Sequence, residues 1–435
     1  MSAELIGFIG IIVLVLLILF KVPVGLSLLI VGFAGIGLIK NVDVALSQLA
    51  SSSFSTVNSY SLSVIPLFIL MGMFMSNTGF GNDLFTAVEK WIGKVRGGLA
   101  IATIGAASIF SAISGSANAT TATLAKICIP EMEKYNYKTT FATAAVAAGG
   151  TLGSLIPPSV LLILYGALTS EPIGALLIAG IVPGILMAIC FMIMINIQVR
   201  MKPEIAPQRT ETVSIKEKVY SLKNVWPFLV IFLISIGGIY VGVFTPNEAG
   251  AIGAMGAFIL SVVTRRMSLK ILLNSLDETL RITVMIFFVL IGASIFGRFL
   301  ALSKIPMLLS DSITSLNVAP FIILALILVV YFFLGMFLEG IAIMVLTLPI
   351  VYPIIIDLGY NGLWFGVIMI LIVNIGVLTP PLGLSVYIIA GIVKHVSIEQ
   401  IFKGVIPSII TMILFIILLI IFPEIVTFLP EITFK

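Results

Sequence analysis

GSLIPPSV, from Gly153 to Val160, and GVLTPPLG, from Gly376 to Gly383, are proline-pair segments 223 residues apart, each inside a long apolar stretch. Proline removes a backbone donor and clashes with the preceding helical turn. Unsatisfied backbone is expensive in hydrocarbon, so a broken helix persists at membrane depth only where it is buried in protein or lines a cavity. Two such breaks, one in each half of a chain, point to a transporter whose binding site lies between them.

The surrounding composition sets the class. The 435 residues are 60% hydrophobic and 10% charged, with a mean hydropathy of +1.26. That predicts an all-α polytopic membrane protein. A transmembrane β-barrel would show short alternating strands, which do not appear. The net charge of +4 follows topology and says little about partners. Cys128 and Cys190 match neither a metal spacing nor a disulfide framework. The first apolar run, Ile6 to Phe20, lacks a basic leader and a small-residue cleavage site, and reads as a retained helix. No phosphate-binding glycine loop, metal cluster or nucleic-acid patch is present.

Apolar spans fall near 4–20, 24–40, 61–79, 98–128, 139–170, 173–199, 225–243, 247–264, 280–302, 306–356, 362–392 and 403–429. The one strongly hydrophilic segment, 200–224, holds six of the 23 basic residues and reads as a connector between repeats at 1–199 and 225–435. Pro157 and Pro158 pair with Pro380 and Pro381, Gly153 with Gly376 and Pro130 with Pro353, all at an offset of 223 and each expected at a chain break. LFILMGMF (Leu67–Phe74) echoes FFVLIGAS (Phe287–Ser294) more loosely. Lys and Arg sort to the cytoplasm. With the N-terminus outside, and with 98–128 and 306–356 as re-entrant hairpins, 18 basic residues face inward and three (Lys40, Lys304 and Lys435) outward; Arg281 and Arg298 lie within spans. Each half then crosses an odd number of times, so the repeats are inverted. Each holds one hairpin and one proline-broken helix, at 139–170 and 362–392. One hairpin enters from the cytoplasm and the other from outside; both termini lie outside and the connector inside.

The hairpin tips carry the chemistry. SAISGSANATTATL, Ser111 to Leu124, is rich in small and hydroxyl residues, among them Ser114, Ser116, Asn118 and Thr120. Hydroxyls and freed carbonyls are hard oxygen ligands suited to a monovalent cation, while half-helix N-termini suit an anion. Close helix packing through small residues is the competing reading. GMFLEGIAIMVLTLP, Gly335 to Pro349, is the second tip, facing the broken helix NIGVLTPPLGLS, Asn374 to Ser385. Glu339 is a carboxylate deep in an apolar segment, hence a functional candidate; neutralising a helix N-terminus is the alternative. Arg298 suits a substrate carboxylate, although snorkelling to the interface is the preferred reading. Asn118, Glu339, Arg298 and Ser385 are the candidate substrate contacts. His395, the only histidine, reads as a solvated loop residue. Serine hydrolysis lacks a second histidine and an acid–base partner, so no catalytic or cofactor-binding residue is expected. EKWIGKVRG, Glu89 to Gly97, reads as an amphipathic segment at the membrane surface, either supporting the hairpin or contacting lipid head groups.

SGSANATTATLAKICIPEMEKYNY, GGTLGSLIPPSV, GMFLEGIA and IGVLTPPLG resemble the large membrane subunit of tripartite ATP-independent periplasmic (TRAP) transporters, over nearly the whole chain. The resemblance implies an elevator-type, sodium-driven importer in the bacterial inner membrane. It implies a small four-helix membrane subunit, expected as a separate chain, and a periplasmic binding protein that delivers an organic acid: a C4-dicarboxylate, sialic acid or another sugar or keto acid. It further implies two Na+ sites. One uses Ser114 and Ser116 with carbonyls of Gly153, Ile156 and Pro158; the other uses Gly335 with Gly376, Thr379 and Leu382. A standalone sodium- or proton-coupled anion symporter is the rival reading.

Overall fold

A computed structural model describes residues 1–93, 95–207, 214–223, 225–308 and 318–434, with the side chains of 227 and 228 excepted. Lys94, Arg209 and Lys435 of the charge sorting, and the 309–317 part of the expected second hairpin, lie outside the described residues. Within them the chain is all-α, with no β-strand. The helices of the first half are α1 (Ala3–Leu19), α2 (Val24–Ile39), α3 (Val42–Val57), α4 (Val64–Asn77), α5 (Phe80–Ile92), α6 (Gly98–Ser114), α7 (Ala117–Lys134), α8 (Thr139–Thr151), α9 (Val160–Thr169), α10 (Ile173–Ala179) and α11 (Ile181–Met201). After α12 (Ile215–Leu222) come α13 (Trp226–Tyr240), α14 (Pro246–Val263), α15 (Leu269–Ser303), α16 (Pro320–Phe337), α17 (Gly340–Asp357), α18 (Gly362–Leu378), α19 (Leu384–Ile392), α20 (Ile398–Ile421) and α21 (Glu424–Thr433). Seven helical stretches among the described residues are long and apolar enough to cross a membrane, and several shorter apolar helices accompany them.

The repeat is visible in where helices begin. Starts at residues 3, 98, 117, 139 and 160 recur at 226, 320, 340, 362 and 384, so the differences run from 222 to 224. Capping chemistry fixes several of these starts. Ser116 caps α7, Ser159 caps α9 and Asn361 caps α18, each side-chain oxygen accepting a main-chain N–H three residues on. The C-terminal ends of α8 and α18 meet in the interior, where Asn374 bonds Ser154. Two helices converging on their C-terminal ends run in opposing directions, as inverted repeats require.

Two cores form. Leu14 of α1, Leu28 and Val31 of α2, and Phe296 and Phe299 of α15 belong to one, joined by Val345 of the second hairpin; most of the hairpin and broken-helix core belongs to a second, larger one, which Ile286 and Leu290 of α15 also enter. The first core rests on close α2–α15 contact. A Cβ on Gly32 would stand 2.8 Å from the Phe296 nitrogen, so glycine lets the two backbones approach.

Some expected boundaries moved. Past the undescribed 309–317, the first helix of the second hairpin runs from Pro320 to Phe337, and the second helix of the first hairpin extends to Lys134. α15 starts at Leu269, eleven residues before the apolar run, where Ser268 caps it by accepting the Ile271 N–H at 3.2 Å, and Asp277 and Arg281 pair along its exposed polar face at 2.7 Å. Pro130 and Pro353 are not chain breaks: both lie inside continuous helices, α7 and α17. Of the amphipathic segment expected at 89–97, Glu89–Ile92 form the end of α5, which begins at Phe80, and the helix stops at Gly93.

Candidate functional site

The first break is stitched to the first hairpin tip. Gly115 turns the chain between α6 and α7 with φ 60°, a conformation glycine adopts without a side-chain clash. A Cβ there would run into the Pro158 carbonyl oxygen, and the Gly115 carbonyl accepts the Val160 N–H at 3.1 Å. A Cβ on Gly153 would stand 2.7 Å from the Ser116 carbonyl oxygen and 2.8 Å from Thr120 Oγ1. Ser114 Oγ lies 2.7 Å from Thr120 Oγ1 and 3.4 Å from the Ser116 carbonyl oxygen. Ser114, Ser116, Gly153 and Pro158 therefore share one small volume rich in neutral oxygens. The Ile156 side chain packs on Gly184 of α11, leaving its main chain as the group available to the break. Both Pro157–Pro158 and Pro380–Pro381 are cis peptides.

The second break meets the second hairpin through glycine. A Cβ on Gly335 would lie 3.0 Å from Gly376 Cα and 3.1 Å from the Val373 carbonyl oxygen, and one on Gly376 would overlap the Gly335 carbonyl carbon. Thr379 ends α18: its N–H donates to the Gly376 carbonyl at 2.9 Å and its hydroxyl to the Ile375 carbonyl at 2.7 Å. The hydroxyl proton is thereby committed, and its lone pairs remain available. Leu382 is 49% exposed, and Pro380 and Pro381 are exposed beside it, whereas residues 151–159 are all buried. The two breaks match in sequence but differ in access.

Between the tips lies a cavity of about 300 Å³. Ala117–Ala119, Val160–Leu161, Gly340–Ile341 and Leu384 line it. These residues open α7, α9, α17 and α19, so four helix N-termini converge on one space, and their aligned dipoles favour an anion there. Met73 of α4 and Met285 of α15 close the far wall. Asn118 Nδ2 donates to Glu339 Oε1 at 3.3 Å across the tips. Two of the four candidate substrate contacts are thus brought together. Ser385 is buried beside Leu384, its hydroxyl without a hydrogen-bond partner. Arg298 is not brought to the cavity: it is exposed on α15, 12 residues and about 18 Å along the helix from the lining Ile286.

A further pair, Ser154 and Asn374, also lines the cavity. Asn374 Oδ1 accepts the Ser154 hydroxyl at 2.9 Å, and Asn374 Nδ2 reaches the Thr151 carbonyl at 3.3 Å. Ser154 is one residue from Gly153 and Asn374 two residues from Gly376, so this buried bridge ties one break to the other. Neither residue stood among the site candidates. A lone amide in the apolar run 362–378 was the available signal, since polar groups inside membrane segments find partners. Thr120, part of the hydroxyl-rich tip but outside the implied Na+ set, joins it through its 2.7 Å contact with Ser114.

The donor set fits the implied Na+. The first break offers serine and threonine hydroxyls and main-chain carbonyls without a carboxylate, and the buried Thr121 hydroxyl, against Gly150, has no hydrogen-bond partner. Neutral hard oxygens of this kind suit a monovalent cation.

Residues 11–425 match the family model described as "Tripartite ATP-independent periplasmic transporter, DctM component". The chain is 34% identical over 385 residues to the C4-dicarboxylate TRAP transporter large permease protein DctM of Pseudomonas aeruginosa, covering 88% of this chain and 89% of that one. It is 32% identical to the sialic acid TRAP transporter large permease protein SiaM of Vibrio cholerae, covering 94% and 95%. Among solved structures, the Alcanivorax borkumensis YdaH transporter aligns with a TM-score of 0.67 at 13% identity, over 89% of this chain and 90% of that one. That last likeness speaks to fold alone.

Proposed function

The chain belongs to the DctM-component family of tripartite ATP-independent periplasmic transporters, and on that premise we propose that it imports an organic acid with sodium as the coupling ion. A TRAP large permease serves secondary transport dependent on a substrate-binding protein. The finer reading rests on one observation: two glycine-lined, oxygen-rich breaks flank a cavity on which four helix N-termini converge. The N-termini attract the carboxylate. The breaks offer neutral oxygens, and Glu339 is the one carboxylate among the described residues lining the cavity, which favours sodium over a proton as the coupling ion. Na+ at Ser114, Ser116, Gly153, Ile156 and Pro158, and at Gly335, Gly376, Thr379 and Leu382, supplies positive charge beside the cavity. Each of these residues then holds a tip against its break and so shapes the anion pocket, making acid binding sodium-dependent.

Repeats 1–199 and 225–435, joined by 200–224, supply a scaffold built on α1, α2 and α15 and a mobile unit of hairpins and broken helices, which moves as an elevator. The core shared by α1, α2 and α15, through Leu14, Leu28, Phe296 and Phe299, supports this division. The protein resides in the bacterial inner membrane with both termini periplasmic, beside a small four-helix subunit, and receives its acid from a periplasmic binding protein. C4-dicarboxylates and sialic acid are the first substrates to try, from the two relatives.

Proteoliposomes carrying this chain and the small subunit, with binding protein and labelled acid outside, test the reading. Uptake is expected only with external sodium and binding protein together. Uptake with sodium alone supports a standalone symporter, and equal uptake under a proton gradient alone overturns the ion assignment.

A further inference from the structure

The connector carries a short helix whose apolar side is turned outward. In α12, Ile215, Val219 and Leu222 recur at i, i+4 and i+7, which places them on one stripe, and they are 80%, 57% and 41% exposed. The other side is held. Ser221 is buried, and the Lys218 carbonyl accepts the indole N–H of Trp91 at 3.1 Å. Trp91 stands near the end of α5, the helix that leads into the first hairpin. Four residues after Leu222, the exposed Trp226 opens the apolar helix α13. Exposed Lys216 and Lys223 flank the stripe, and Lys223 Nζ lies 5.9 Å from the Tyr220 ring centroid. Lys90 and the exposed Arg96 add charge from the end of α5.

We propose that α12, with the adjoining end of α5, is a docking surface for a bilayer leaflet carrying anionic phospholipid. Ile215, Val219 and Leu222 enter the boundary between acyl chains and head groups, while Lys216, Lys218 and Lys223 meet lipid phosphates. Three features single out this occupant. Basic amphipathic helices lie in the interfacial plane with the apolar face down. Trp226, four residues past the stripe, opens α13, and tryptophan marks the membrane–water interface. A three-residue stripe on a helix about 12 Å long is also far smaller than the roughly 800 Å² per partner of a stable protein interface. Positive charge beside the stripe is complementary to an anionic surface. The Trp91–Lys218 hydrogen bond links this surface to the arm that enters the first hairpin.

The test uses the full chain with Cys128 and Cys190 replaced, a single cysteine at Val219 carrying a bimane label, and nanodiscs of phosphatidylcholine. An equal fraction of brominated phosphatidylglycerol or of brominated phosphatidylcholine is included as quencher. Quenching is expected to be severalfold stronger with phosphatidylglycerol. K216E, K218E and K223E together should equalise the two lipids while leaving quenching by both. Inorganic phosphate in solution should not shift the emission; a shift would mark a soluble-anion site instead. Equal quenching by both lipids in the unmodified surface removes the charge selectivity and overturns the proposal. So does the absence of quenching by either lipid. Loss of quenching on adding the small subunit overturns it as well, by marking a protein interface.

Discussion

Thr379→Val separates a cation ligand from a structural kink. The Thr379 hydroxyl donates to the Ile375 carbonyl at 2.7 Å, which commits its proton and leaves its lone pairs free to accept. Valine keeps the branched shape and removes the oxygen. Losing one ligand to a charged group weakens binding by roughly 1.5–3 kcal/mol, or roughly ten- to a hundredfold. The half-maximal sodium concentration for uptake should rise by that factor in proteoliposomes at fixed substrate. Valine also leaves the Ile375 carbonyl without its hydroxyl donor, which destabilises the helix end by about 1 kcal/mol and is read separately as melting temperature. Thr379→Ser retains the oxygen and should stay within about threefold of the parent, well under the tenfold that 1.4 kcal/mol represents. If Thr379→Val lowers the melting temperature but transports with unchanged sodium dependence, the hydroxyl is a helix cap and the second site is wrongly assigned.

Gly153→Ala places a methyl 2.7 Å from the Ser116 carbonyl oxygen and should raise the sodium requirement, at an overpacking penalty of about 1–3 kcal/mol; sodium dependence measured in parallel with expression checks this. Asn374→Ala removes the bridge between the breaks while Ser154 keeps its 2.9 Å bond to the Thr151 carbonyl. It should destabilise by about 1–3 kcal/mol and flatten the sodium dependence of uptake, an effect absent if the bridge serves folding alone. Glu339→Gln removes a negative charge from a cavity built for an anion. Like-charge repulsion at about 4 Å is worth roughly 1–4 kcal/mol between dielectric constants of 80 and 20, so substrate half-saturation should fall at least about fivefold; a rise instead would make Glu339 a sodium ligand or a substrate contact. Cysteines at Ser214 and Asn361 should label from opposite faces of the membrane, and same-face labelling would break the inverted topology.

The breaks were legible because a proline pair in an apolar run admits few structures. Gly153 and Gly376 mark them for a reason now visible: each lies where the partner tip's backbone leaves no room for a Cβ. Other features left no such trace. α3 spans Val42–Val57 with serines at 47, 51, 52, 53 and 55, so it presents no apolar run despite being helical. The polar start of α15 hid eleven residues of helix for the same reason. The Ser154–Asn374 pair spans 220 residues, and nothing local to either names its partner. Arg298 illustrates the reverse case: its charge drew attention, but its helical position carries it away from the cavity.

The most direct test of the two-site account needs neither substrate nor partner. Equilibrium binding of radioactive sodium to the purified chain should saturate at two ions per molecule. Thr379→Val should weaken one of them, and Gly153→Ala the other. Absence of saturable binding, or binding that neither substitution alters, would contradict the assignment of the two proline breaks as the coupling-ion sites.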